Sequence, residues 1–381
     1  MPSQRIALLS FAFFLALIVS SAPAQQSDQT RLNQIQVIGT HNSYHAGFQP
    51  SAEALWQAKN PKIYQGLDYR HAPLQQQLDS GVRQIELDIY ADSQGGRYTH
   101  PLGPKMVAEA HLPPDPDFDA SGIMNKPGFK VMPVQDIDYI STCQPFTACL
   151  KEVRHWSHAH PGHIPVFILV ETKQGTGSRG ELQLTEPEPF TSSTFDALDA
   201  EIRSVFPSDE LITPDDVRGH YDTLEQAVLA GNWPTLASAR GKVVFLMDQR
   251  PVGPVYLAGH NSLRGRVLFT NAEPGEPDAA FIERNDGPEE DITALVRKGY
   301  LIRTRTDADT KEARVNLASR RDAMIESGAQ ILSTDYPASA LAWSLCRFTS
   351  RKCNSSLQPG QFFPSLQFRV IEMNGSWTFG I

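Results

Sequence analysis

The chain has 381 residues, 40% hydrophobic and 20% charged, enough apolar material for a large core. That composition excludes a disordered chain and a disulfide-stapled miniprotein. Lys and Arg number 34 against 43 Asp and Glu, a net charge of −9 with no long block of like charge. A nucleic-acid binder, which must neutralise phosphates over a basic face, is not expected.

In chain order, the first signal is Arg5 followed by an apolar run from Ile6 to Val19 and then Ala22-Pro23-Ala24. This reads as a secretory signal peptide over residues 1–24. The run is too short for the roughly 20 apolar residues that span a bilayer. The mature chain, 25–381, is therefore expected to be secreted or periplasmic. Short β-branched, apolar runs follow at Ile35 to Ile38, Val82 to Tyr90, Phe129 to Val134, Ile164 to Val170, Lys242 to Met247, Arg266 to Thr270, Leu301 to Thr304 and Gln330 to Leu332. Between them, helical spacing is predicted over Pro73 to Ser80, Phe146 to Ala159, Phe195 to Val205, Leu224 to Ala230, Glu289 to Arg297 and Lys311 to Ser327. Eight strands alternating with helices predict an α/β fold, a (β/α)8 TIM barrel in a single domain. The P-loop pattern is absent, and a doubly wound nucleotide-binding sheet is not expected. Residues 101–128, rich in Pro, Gly and Asp, read as a long loop over one end of the barrel, and 338–381 as a C-terminal extension ending in a hairpin signal at Asn374-Gly375.

The four cysteines fall into two close pairs, and an oxidising compartment lets Cys143 bond Cys149 and Cys346 bond Cys353. Zinc is disfavoured because five and six residues intervene, against the usual two to four. His155, His158, His160 and His163 cluster on a helix and the loop before a strand, which is the stability face of a barrel, and read as surface histidines.

Reactive groups of a barrel belong at the C-terminal ends of its strands. The first strand runs into Thr40-His41-Asn42. The second, Ile85-Glu86-Leu87-Asp88-Ile89, puts two carboxylates on one face of an otherwise apolar strand. Such a pair repels unless a cation, a shared proton or a basic neighbour intervenes. His100 follows Asp88 after a turn-like excursion, and another strand ends in Glu171-Thr172-Lys173. Hard oxygen donors from Asn42, Glu86, Asp88 and Glu171 describe a Ca²⁺ or, less well, a Mg²⁺ site. Lys173, Arg303 and Arg305 stand at strand ends where cations grip phosphate or hydroxyls, and Tyr336 is placed to stack on a ring.

His41-Asn42, Glu86-x-Asp88, His100 and Glu171 resemble, in order and strand context, the active site of the secreted, calcium-dependent phosphoinositide-specific phospholipases C, within the PLC-like phosphodiesterases. The stretches 134–143, 303–309 and 327–336 are similar to family blocks as well. The resemblance implies a phosphatidylinositol substrate, cleaved to diacylglycerol and inositol 1,2-cyclic phosphate. It also implies Ca²⁺ on Asn42, Glu86, Asp88 and Glu171, with His41 stabilising the phosphorane and His100 protonating the leaving oxygen. Either Glu86 or a histidine is the base. Lys173, Arg303, Arg305 and Tyr336 are the expected substrate contacts. A monomer touching membranes peripherally is expected. A glycerophosphodiester or sphingomyelin phosphodiesterase on the same barrel is the enzymatic alternative, although a His-Arg-Gly opening is missing; a catalytically inactive lipid- or carbohydrate-binding module is the other.

Overall fold

The computed structural model describes residues 29–175, 178–179, 182–315, 317–337, 369–371 and 377–379. The expected signal peptide, the Cys346/Cys353 pair and most of the C-terminal extension lie outside the described residues. Among the described residues there are fourteen strands: β1 (Ile35–Thr40), β2 (Gln84–Tyr90), β3 (Lys130–Val131), β4 (Val166–Thr172), β5 (Ser178–Arg179), β6 (Leu182–Gln183), β7 (Leu211–Ile212), β8 (Val243–Met247), β9 (Leu268–Phe269), β10 (Phe281–Glu283), β11 (Leu301–Arg305), β12 (Ile331–Thr334), β13 (Arg369–Ile371) and β14 (Trp377–Phe379).

Parallel pairing runs β10-β11-β12-β1-β2-β4-β8. Strand β9 continues it in parallel from β8, and a single parallel bridge, Asn271 to Phe281, joins the end of β9 to β10. That bridge closes the expected eight-stranded parallel barrel. The membership differs from the sequence reading at two places. Phe129 to Val134 yields only β3, which pairs antiparallel with the end of β2 and lies off the barrel. The missing stave is β10, three residues long and joined to β9 by a loop without a helix, so it lacks the flanking helical period by which strands of this fold are recognised. The β13–β14 hairpin expected at the C-terminus forms and pairs antiparallel with β1.

Strand β2 shows how the layers divide. Ile85, Leu87 and Ile89 join the large apolar cluster, while Gln84, Glu86 and Asp88 point the other way, all six fully buried. Arg303 of β11 reaches Glu86 of β2 although two strands separate them, so both side chains enter the barrel interior. Thr304, next to Arg303, faces outward to Met324 on the helix Ser319–Glu326. The apolar core therefore lies between barrel and helices, and the interior carries charge. Gly39 of β1 is paired with Gln84, and a Cβ there would fall 1.8 Å from the Gln84 side chain. Only glycine lets the two strands approach at this point.

Segment 101–128 carries the helix Leu102–Glu109 and the single turn Ile123–Asn125 rather than loop throughout. The helix Phe146–Ala159 is fixed at its start by the Cys143–Cys149 disulfide, as the spacing predicts. At the far end of that helix His155, His158 and His160 are exposed, as surface histidines should be, and His158 pairs with Glu210. His163, however, is not on the surface: it is buried, bonded to the Ser157 hydroxyl and the Ile164 carbonyl. A G-x-G-x-x-G spacing does occur, from Gly175 to Gly180, but it includes β5 instead of opening a helix, so it has none of the context of a dinucleotide loop. No helix among the described residues is long and apolar enough to cross a membrane.

Candidate active site

The C-terminal ends of the strands converge on one charged mouth. After β1 the chain turns at His41-Asn42-Ser43, where Asn42 takes a left-handed conformation (φ 46°) that asparagine tolerates better than most residues. Ser43 ties this turn to β2: its amide donates to the Glu86 carbonyl at 3.1 Å and its Oγ accepts from the Glu86 amide at 2.7 Å. His41 and Asn42 are thereby set above the β2 carboxylates.

His41 Nδ1 lies 2.8 Å from Asp335, just past β12, and Nε2 lies 3.7 Å from Glu86 Oε1. Burial works to raise the Asp335 carboxyl, but facing His41 holds it below its ordinary range. His71 Nε2 bonds the His41 carbonyl at 2.8 Å, and the Tyr69 ring stacks on the imidazole at 5.7 Å. Burial lowers the His71 pKa to about 4, so His71 is a neutral support. Behind Asp335 sits Asp307, accepting from the Asp335 amide and the Thr334 hydroxyl; burial, then the charge of Asp335, raises it to about 7.

Glu86, Asp88 and Glu171 bring oxygens within 4.8 Å of one another. Asn42 borders the group: its amide nitrogen donates to the two oxygens of Asp88 at 2.9 and 3.2 Å, and its Oδ1 accepts from the Tyr69 hydroxyl at 2.8 Å. A half-turn of that amide would present Oδ1 toward Asp88 as a fourth oxygen donor. Glu86 Oε1 is buried and has no hydrogen-bond partner. These donors, all hard oxygens, fit a Ca²⁺-type site.

Three cations offset the acidic charge. Arg303 is fully buried and donates to Glu86 at 2.5 Å, Glu283 at 2.9 Å, Asn285 at 2.7 Å and Ser333 at 3.1 Å. Lys173 reaches Asp88 and Glu171, each at 2.8 Å, and keeps 22% of its side chain exposed. Burial raises Asp88 well above the carboxylate range, assisted by Glu171 and opposed by Lys173. For the Lys173 ammonium, burial is outweighed by Asp88 and Glu171, and its pKa rises. Arg305 is half-buried and forms no ion pair among the described residues; burial opposes its charge, but Glu86, Glu283, Asp335 and Asp248 together raise its pKa.

The predicted residues His41, Asn42, Glu86, Asp88, Glu171, Lys173, Arg303 and Arg305 are thus brought together. Tyr336 follows Asp335 at the rim, half-buried, in the field of Arg314 and Asp68. His100 is not brought in: it is exposed and lines a separate surface groove with Pro101, Pro104, Leu112, Phe118 and Tyr139. Its twelve-residue spacing from Asp88 crosses a loop, and a loop has no register to fix the return. Sequence reasoning missed Asp335, Glu283 and Asp248. Asp335 ends a recognised strand and was open to the same strand-end rule; Glu283 went with the unrecognised β10. Asp248 follows β8, and burial together with Glu283, Glu171 and Glu86 raises its pKa well above the ordinary value.

Comparison with known proteins gives a family match over residues 30–354, to a family described as phosphoinositide phospholipase C, Ca²⁺-dependent. Among curated protein sequences none matches. Among solved structures, a calcium-dependent phosphoinositol-specific phospholipase C from the Gram-negative bacterium Pseudomonas sp. is similar at a TM-score of 0.51 and 16% identity, covering 88% of this chain and 97% of that one. A Ca²⁺-dependent phosphatidylinositol-specific phospholipase C from Streptomyces antibioticus aligns at a TM-score of 0.46 and 21% identity, over 80% of this chain and 95% of that one.

Proposed function

From the premise that the chain belongs to the Ca²⁺-dependent phosphoinositide phospholipase C family and is a phosphodiesterase, we propose that it cleaves phosphatidylinositol to diacylglycerol and inositol 1,2-cyclic phosphate. The observation that carries this reading is the pairing of His41, backed by Asp335, with the carboxylate cluster of Glu86, Asp88 and Glu171, bordered by Asn42, at one barrel mouth.

His41 is the proton-transfer group. Asp335 fixes its Nδ1, so Nε2 is the nitrogen presented toward Glu86 and the mouth, and it takes the 2-hydroxyl proton as that oxygen attacks phosphorus. Glu86 is the weaker candidate for base, because Arg303 holds one of its oxygens at 2.5 Å. Asn42, Glu86, Asp88 and Glu171 are the residues that would hold Ca²⁺, in preference to Mg²⁺, which demands stricter octahedral geometry. Bound there, the ion supplies Lewis-acid polarisation of the substrate oxygens. Arg305, in no ion pair among the described residues, neutralises the charge growing on the phosphate. The departing glycerol oxygen takes up a proton from solvent at the mouth and leaves as neutral diacylglycerol, and Tyr336 borders the inositol. Arg303 acts on the reaction through Glu86, since it is fully enclosed. The protein works as an exported monomer that meets its lipid at a membrane surface.

Phosphorus NMR of phosphatidylinositol digests, with Ca²⁺ and with excess chelator, tests the reading. A Ca²⁺-dependent cyclic phosphodiester signal is expected. Full turnover in chelator would remove the metal from the mechanism, and release of an open phosphomonoester with no cyclic product at any time would remove the intramolecular attack.

A further inference from the structure

We propose that Lys173 is the resident counter-ion of the carboxylate cluster and that a divalent cation binds by displacing it. The proposal rests on the reading of Asn42, Glu86, Asp88 and Glu171 as cation ligands and adds what that cation must exchange with. The Lys173 ammonium lies 2.8 Å from Asp88 and 2.8 Å from Glu171, two of the three carboxylates whose oxygens approach within 4.8 Å. Calcium takes carboxylate oxygens at about 2.3–2.6 Å. An ammonium bridging the same two carboxylates competes for their lone pairs and repels the ion at close range. Both cannot be seated at once.

Two features separate Lys173 from an ordinary structural ion pair. The ammonium leaves the cluster incompletely satisfied: Glu86 Oε1 is buried with no hydrogen-bond partner. That is an atom which an ion coordinated by the cluster would take and which an ammonium on Asp88 and Glu171 does not reach. Second, Lys173 can leave. Arg303, fully buried and held by four side chains, is fixed, whereas the Lys173 side chain is 22% exposed, with both its ion pairs to the cluster and a flexible four-carbon stem. Displacement frees a cation at the mouth for the substrate phosphate, which reconciles the engagement seen here with a substrate-binding role.

Two measurements test the exchange. Calorimetric titration with CaCl₂ of the full chain and of Lys173→Met is expected to show affinity rising at least tenfold in the variant, because the competitor is gone. In the wild-type chain, acetylation of individual lysines followed by mass spectrometry is expected to find Lys173 protected in chelator and modified severalfold faster in saturating Ca²⁺. Lys105 and Lys311, each with 73% of the side chain exposed, serve as references whose rates stay constant. Equal Ca²⁺ affinity in the two proteins overturns the exchange and leaves the cation site standing. A tighter variant with no change in wild-type labelling also overturns it, reducing Lys173 to a nearby repulsive charge. If neither protein binds Ca²⁺, the cation site itself is wrong and the proposal falls with it. Should Lys173→Met not fold, the wild-type labelling decides alone.

Discussion

The strand-borne side of the barrel mouth and the loop-borne segment beside it carry the same kinds of residue with opposite results. On β1, β2, β4 and β11, and in the turns that follow them directly, the predicted functional groups converge on one site, because pairing with neighbours fixes both the height and the facing of each side chain. Between β2 and β3, His100 has a comparable motif context but ends exposed in a groove. In this protein position at a strand end, more than residue type or spacing, decides which side chains enter the site.

The largest expected difference between the two regions is catalytic. His41→Ala should lose about 10²- to 10⁴-fold in turnover of phosphatidylinositol at saturating Ca²⁺, the usual worth of a positioned proton-transfer group. Steady-state assays of that variant beside His100→Ala place the two sides on one scale; equal losses would break the comparison and return His100 to the mechanism.

Next in size is stability on the strand side. Arg303→Met leaves Glu86 and Glu283 buried without their shared guanidinium and should cost about 3–5 kcal/mol of unfolding free energy in chelator. Denaturant titration measures it, and adding Glu86→Gln should recover part of the loss; a loss below about 1 kcal/mol would show that the interior charges are not interdependent.

A smaller effect is carried by pH. The folded Asp307, raised to about 7, binds its proton more tightly than the unfolded chain, whose aspartates titrate near 4. The native state therefore holds more protons between those limits, and this group's contribution to stability falls as pH rises from about 4 to 7, with a slope of at most about 1.4 kcal/mol per unit. Comparing wild type with Asp307→Asn across that window should show the slope removed; an unchanged slope excludes Asp307 as its source.

The smallest effect is expected on the loop side, where His100→Ala should change turnover by less than about twofold and leave the melting temperature unaltered.

Legibility from sequence followed the same division. Ile85-Glu86-Leu87-Asp88-Ile89 announces its register through alternation, and with it the two carboxylates and their shared direction. The apolar run at 129–134 has the same local signature as a barrel strand, and nothing in it states that β3 pairs antiparallel; the partner decides that. Conversely, Phe281–Glu283 is too short for periodicity to register, so β10 and its Glu283 were invisible. Arg303 was legible as a strand-end cation, but its inward burial on Glu86 depends on barrel curvature, which local pattern does not encode. The left-handed turn at Asn42, likewise, becomes necessary only once Ser43 is bonded to β2.

The closure of the barrel at Asn271 has a dynamic consequence. The β9–β10 contact has one backbone bridge, reinforced by the Asn271 side chain, whose Nδ2 donates to the Asp248 carbonyl at 2.6 Å and whose Oδ1 accepts from the Glu283 amide at 3.1 Å. Elsewhere, as between β2 and β4, six residue pairs share the pairing. The β1–β2 junction also has one registered pair, Gly39 with Gln84, but backbone bonds from Arg83 to Ile38 and from Ser43 to Glu86 extend it on both sides, so the β9–β10 seam is the weaker and breathes first. Amide hydrogen exchange should find its earliest cooperative opening along Leu268–Glu283, well before β2 and β4 surrender their protons, so the barrel would unzip along a preset line while its carboxylate-bearing staves remain assembled.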